Sequence, residues 1–176
     1  MASIIDADVP LPNARVEHII GLLEVLDEET AQGQVDIFRL GQRLLLSIDD
    51  LLPILEGARL LRFVDVRDGD VNLTDVGREM ARADILERKQ IFRKQAVQVA
   101  LVREVMGLLA RQPDHTMSRD RLLEWLETSL SELWAARTFD ILVDWGRYAE
   151  ILGYNARTHE LHLTVASSES KVTNEV

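Results

Sequence analysis

A chain of 176 residues with 47% hydrophobic side chains holds enough apolar material for one medium domain or two small ones, which excludes disorder of the whole chain. The absence of cysteine removes disulfides, thiolate nucleophiles and cysteine-ligated metal clusters together, and it fits a reducing compartment. A formal net charge of -10 makes the average surface repel phosphate backbones and anionic lipid heads, and no apolar run approaches the roughly 20 residues that cross a bilayer.

Residues 1–13 place acids where a secretory leader carries lysine or arginine. They also carry Pro10 and Pro12 without an apolar period, so they read as an extended lead-in ending at a helix cap on Asn13. Val16, Ile19, Ile20, Leu23 and Leu26 recur on one helical face, predicting a helix over 14–28. Gln32-Gly33-Gln34 breaks the pattern, and a second helix runs through Phe38, Leu40, Leu44 and Leu45. Ser47 with Asp50 forms a capping box opening a third helix, which Pro53 is expected to bend. The period then turns from helical to alternating, with Phe63–Val66 and Val71–Thr74 as arms of a hairpin around Asp68-Gly69. Thr74 caps the next helix, and Gly77 lets it approach its neighbour closely. Three helices, a hairpin and a helix are the order of a winged helix-turn-helix, here over 14–83.

Residues 84–111 contain no proline and carry two apolar stripes, Phe92, Ala96, Val99, Met106 and Leu109, and Val97, Leu101, Val105 and Leu108. They predict one long linking helix buried on two sides, which serves either to bridge the halves or to join two copies in a homodimer. Gln112-Pro113-Asp114 stops it. The plan then repeats over 112–165. Ser118 caps a helix through Leu122, Leu123 and Leu126, and Ser129 with Glu132 is a second capping box. The next helix carries Leu133, Thr138, Ile141, Leu142 and Trp145 and ends at Gly146. Tyr148–Tyr154 and Glu160–Val165 read as strands of a second wing, and 166–176 as a tail without period. The fold expected is mainly α with small β wings: tandem winged-helix-like units joined by a long central helix.

Three runs carry a family resemblance: Asp70-Val71-Asn72-Leu73-Thr74-Asp75-Val76-Gly77-Arg78, then Ala83-Asp84-Ile85-Leu86-Glu87-Arg88-Lys89-Gln90-Ile91-Phe92-Arg93, and Asp144-Trp145-Gly146-Arg147-Tyr148-Ala149-Glu150. With Pro10-Leu11-Pro12 ahead of them, they make the chain resemble the AAA-associated C-terminal domain from about Val16 to Leu163. That domain follows the ATPase subunits of nitrate, sulfonate and bicarbonate type ABC importers. The resemblance implies a regulatory appendage of such an ATPase and brings no catalytic set. The acids at the N-terminus and the lack of a membrane span lead to a cytoplasmic location being expected, and the resemblance implies a place peripheral to the inner membrane through a transporter. Because the chain starts almost at the module, it is expected to be either a homologue acting in trans or an excised piece.

The residues point to no chemistry of their own. No Gly-rich loop with Lys and Ser or Thr is present to cradle phosphates, so no cofactor is expected. His159 and His162, three apart near a hairpin, face opposite ways, and no metal site is expected. Asp114, His115 and Ser118 share letters with a triad but not its geometry. Asp49 and Asp50 serve the start of the third helix, where negative charge suits the dipole. DNA binding by a winged-helix regulator is the rival reading, but the third helix offers Asp49, Asp50 and Glu56 against Arg59 alone, and its counterpart offers Glu132, Asp140 and Asp144 against Arg137 and Arg147. Carboxylates there repel phosphate. A ligand sensor with a pocket between the units is a third reading, and no residues specify it. The best positive patch is Arg88, Lys89, Arg93 and Lys94, which would meet duplex DNA in the rival reading. With Arg147 and Tyr148 it forms the candidate surface for an ABC transporter ATPase subunit. Trp125, Trp134, Trp145 and Tyr154 are read mainly as core, with an exposed one serving as a contact anchor.

Overall fold

A computed structural model describes residues 9–30 and 35–164. The break at Gln32-Gly33-Gln34, residues 1–8 of the lead-in, Val165 and the tail lie outside the described residues. Helix α1 spans Val16–Thr30, and strand β1, Val35–Asp36, leads directly into α2, Ile37–Leu44. Asp36 caps α2, its Oδ1 accepting from the amides of Phe38 (2.8 Å) and Arg39 (3.3 Å). Helix α3, Ile48–Leu60, runs on through Pro53. Of the capping box at its start, one half is present: the Ser47 hydroxyl accepts from the Asp50 amide and donates to the Asp50 carboxylate at 2.6 Å.

The first hairpin is as the alternation predicts, β2 at Val64–Arg67 and β3 at Asp70–Leu73. Asp68 and Gly69 have φ of 53° and 88°, the positive pair that a two-residue turn matching strand twist requires. Strand β1 adds to the other edge of β3, giving sheet order β1-β3-β2. Two residues are too few to show a period, so this third strand has no signature in the sequence. Thr74 caps α4, Asp75–Arg82, accepting from the Gly77 amide at 3.0 Å. At Gly77 an added Cβ would stand 1.9 Å from the Phe63 carbonyl oxygen, so only glycine lets α4 lie on the start of the hairpin.

The linking helix expected over 84–111 is two helices, α5 at Ile85–Ala96 and α6 at Ala100–Ala110. Val99 between them is extended, φ -70° and ψ 124°. The first apolar stripe is split, Phe92 and Ala96 falling in α5 and Met106 and Leu109 in α6, while the second lies in α6 apart from Val97; the break turns Ile91, Phe92 and Ala96 of one helix and Leu101, Val102, Val105 and Leu109 of the other into the same core. No proline or glycine marks it because burial, not local propensity, sets the bend.

Strand β4, Thr116–Ser118, then helices α7, Arg119–Leu126, and α8, Glu132–Tyr148, and strands β5, Leu152–Asn155, and β6, Glu160–Leu163, complete the chain. The second sheet is ordered β4-β6-β5. The order helix, strand, helix, helix, hairpin therefore occurs twice, beginning at α1 and again at α6, with α4 and α5 between. Three expectations in this half are corrected. The residue preceding α8 is Ser131, without a side-chain cap bond, rather than Ser129. Helix α8 passes through Gly146, where a Cβ would sit 2.6 Å from that of Leu152, so this glycine admits the strand rather than ending the helix. Tyr148 belongs to α8, and the turn into β5 is made by Glu150 in the left-handed region, φ 56°, with the Ile151 amide donating to the Gly146 carbonyl at 2.9 Å. Arg62 makes the same left-handed exit from α3.

One apolar core runs through both repeats. At its centre the Phe92 ring lies 6.2 Å from Phe63, 5.9 Å from Trp145 and 5.3 Å from Tyr148, the last two edge-on, a geometry that aligns ring quadrupoles favourably. The buried Trp145 Nε1 donates to the Ala14 carbonyl at 2.7 Å, satisfying the indole at the depth where an unpaired donor is costly.

Candidate partner groove

Helix α8 delivers its last two turns to the start of α1 and to the flank of α5. The amide of Val16, which no helical carbonyl can reach, donates to Asp144 Oδ2 at 2.8 Å, and Arg15 lies 3.7 Å from the same carboxylate. The cap expected from Asn13 is thus made by a residue of α8, which also sets charge of the favourable sign at the helix start.

Along this junction Arg15, Lys89, Asp140, Asp144, Arg147 and Tyr148, with Phe139, Val143 and Tyr154 as apolar wall, line an open groove of about 610 Å³. Lys89 Nζ reaches Glu150 Oε1 at 2.7 Å. That hydrogen bond, and then the attraction of the two charges, raises the lysine above its ordinary value and lowers the carboxyl below its own. Partial burial, opposed by the charges of Arg88 and Lys89, raises the Tyr148 phenol. Arg147 is exposed and has no ion-pair partner among the described residues.

Of the six residues predicted as a partner surface, Lys89, Arg147 and Tyr148 come together in this groove. Arg93 lies near enough to lower the Glu150 carboxyl by its charge. Arg88 turns toward α1 and α4, where it binds Glu24 at 2.8 Å and the Ala81 carbonyl at 2.7 Å. Lys94 borders a different recess with Glu79, Arg82 and Glu87. The four bases of α5 are therefore divided among three surroundings, because successive residues of a helix point in directions about 100° apart. The spacing of Arg15 and Asp140 in sequence offers no signal of a shared surface, and Tyr154, expected mainly as core or else as an exposed contact anchor, forms part of the groove wall. The run Asp144–Glu150 did mark the α8 side.

The outer face of α3 shows Asp49, Asp50, Leu52 and Glu56, with Arg59 held by both carboxylate oxygens of Glu56 at 3.1 and 2.9 Å. On α8, Leu133 and Trp134 are 59% and 42% exposed, the Trp134 ring 5.4 Å from the Arg137 guanidinium. Trp145 is buried, as expected of a core aromatic, and Trp134 is the exposed one. His159 sits in the turn with Nδ1 3.2 Å from the Tyr154 hydroxyl, while His162 lies across Gly153. No group of three or more histidines and acids is arranged to hold a metal among the described residues. No helix among them is long and apolar enough to cross a membrane.

Compared with known families, residues 38–155 match the model described as the C-terminal AAA-associated domain, well over half of the chain. No curated protein and no solved structure matches it.

Proposed function

This chain belongs to the C-terminal AAA-associated domain family, and from that membership we propose that it is a regulatory or docking module for the ATPase of an ABC-type anion importer, working by protein contact and catalysing no reaction itself. The family's description ties the chain to an ATPase of AAA type. The importer, of nitrate, sulfonate or bicarbonate type, comes from the resemblance of the three motif runs, and the cytoplasmic face of the membrane is the location it requires.

The observation that carries the contact reading is the groove, where Arg147 stands exposed beside a half-buried tyrosine and carboxylates already held in place. Such a mixture of an aromatic, an arginine and fixed charges suits a protein surface, with Tyr148 and Arg147 as anchors. It suits DNA poorly, since α3 offers the phosphate backbone carboxylates and an arginine already engaged by Glu56.

The test is co-purification with the ATPase of a nitrate, sulfonate or bicarbonate importer and the effect of the chain on its ATP turnover. Binding at about micromolar affinity, weakened at least tenfold by Arg147→Glu, is expected. Absence of binding, or a chain that hydrolyses ATP alone, overturns the reading.

A further inference from the structure

Two apolar side chains that contribute little to the core stand on α2 and the turn behind it. Leu45 is 92% exposed and Phe38 66%. Leu45 sits at φ 56°, ψ 35°, where a leucine Cβ crowds the following carbonyl and a glycine does not. The turn requires that conformation, since the Leu45 amide donates to the Gln42 carbonyl at 3.3 Å and the Leu46 amide to the Gly41 carbonyl at 2.9 Å, the bonds that close a helix through a left-handed residue. Glycine would make the same turn without strain, and so exposed a leucine returns almost no burial for it.

Phe38, Leu45, Leu46 and Ile48 together line an open notch of about 470 Å³ over the buried Gly41. Its border on the α3 side is acidic. Asp49 and Asp50 lie next to Ile48, with the half-exposed Leu52 one turn on. Neither aspartate has a cationic partner among the described residues. On the far side Arg39 and Arg43 are drawn to Glu29, at 2.8 and 3.0 Å.

We propose that this notch docks a basic amphipathic helix of a partner protein, its apolar face seated between Phe38 and Leu45 and its lysines or arginines against Asp49 and Asp50. Apolar anchors give such a contact its affinity, and complementary charge selects the partner. A second copy of this chain fits less well, because a two-fold contact here would bring both pairs of aspartates together. The notch is separate from the groove of α1, α5 and α8, so the inference stands apart from the ATPase reading.

The experiment titrates the full chain into a fluorescein-labelled helical peptide with leucines at i, i+3, i+4 and i+7 flanked by lysines, read by anisotropy. The same peptide with glutamate for every lysine is the control. The lysine peptide is expected to bind at least about tenfold more tightly than the glutamate one, and less so as salt rises. Leu45→Gly leaves the charge unchanged. It is expected to raise Tm by roughly 2–4 °C, since it relieves the turn, while weakening the lysine peptide by about tenfold or more. Asp49→Asn should weaken it by a smaller factor and flatten the salt dependence. Equal binding of the two peptides, no binding of either, or unchanged affinity in Leu45→Gly overturns the proposal. A dimer in light scattering that Leu45→Gly dissolves assigns the notch to a second copy instead, and equally overturns it.

Discussion

Asp144 shows how far a single side chain can reach in this fold, since it caps a helix that begins 128 positions earlier. Replacing an N-terminal capping group by alanine removes about 1–2 kcal/mol. Asp144→Ala should therefore lower the unfolding free energy measured in urea by that amount, whereas Asn13→Ala, at the position whose side chain is the cap expected from sequence, should change it by less than about 0.5 kcal/mol. The Lys89–Glu150 contact has a pH signature. Glu150 is lowered in the fold, so its contribution is complete above the unfolded carboxylate pKa and fades as pH falls through the lower folded value. Lys89 is raised, so its contribution is complete below the ordinary lysine value and fades as pH rises through the higher folded one. Thermal melts of the chain and Lys89→Met should accordingly differ by a constant Tm between roughly pH 6 and 9, and draw together only as pH falls from roughly 4 through the lowered Glu150 value.

At the scale of elements, the division of residues 84–111 into α5 and α6 makes a prediction that a continuous helix would not survive. Ala100 is the first residue of α6, where the amide needs no helical partner, and Val99 before it is already extended. Proline fits both conditions. Ala100→Pro should leave the unfolding free energy measured in denaturant within about 0.5 kcal/mol of the original, against a loss of about 3 kcal/mol in a helix interior. Gly146 offers the converse case. Inside α8 alanine is the better helix former, but its Cβ would stand 2.6 Å from that of Leu152, so Gly146→Ala should cost about 1–3 kcal/mol by overpacking. Caps and turns with local partners were legible in the sequence, as at Ser47, Thr74, Ser118 and Asp68-Gly69. Strands β1 and β4 were not, because two or three residues become strand only by pairing with a neighbour supplied from far along the chain. The same holds of the groove. Its α8 side lay in one motif, and its α1 and α5 sides were joined to it only by packing.

Across the whole molecule, the two repeats share the core at Phe92, whose ring meets Phe63 of the first repeat and Trp145 and Tyr148 of the second. Phe92→Ala should destabilise the chain by about 3–5 kcal/mol. Because the cavity would open between the repeats, tryptophan fluorescence, which reports the second repeat, and far-UV circular dichroism, which reports both, should shift together in one transition. Two separated transitions would mean that the repeats unfold as independent domains.

The sequence alone determined the helical faces, the hairpins, the close approach at Gly77 and the family, since each depends on residues within a few positions of one another or on a contiguous run. The tertiary structure alone decided where α5 gives way to α6, which carboxylate caps α1, and how the bases of α5 are divided between the groove and the first repeat. Those features rest on contacts between segments up to 128 positions apart, and periodicity, which reports only which way a side chain leaves its own element, carries no record of what it will meet there.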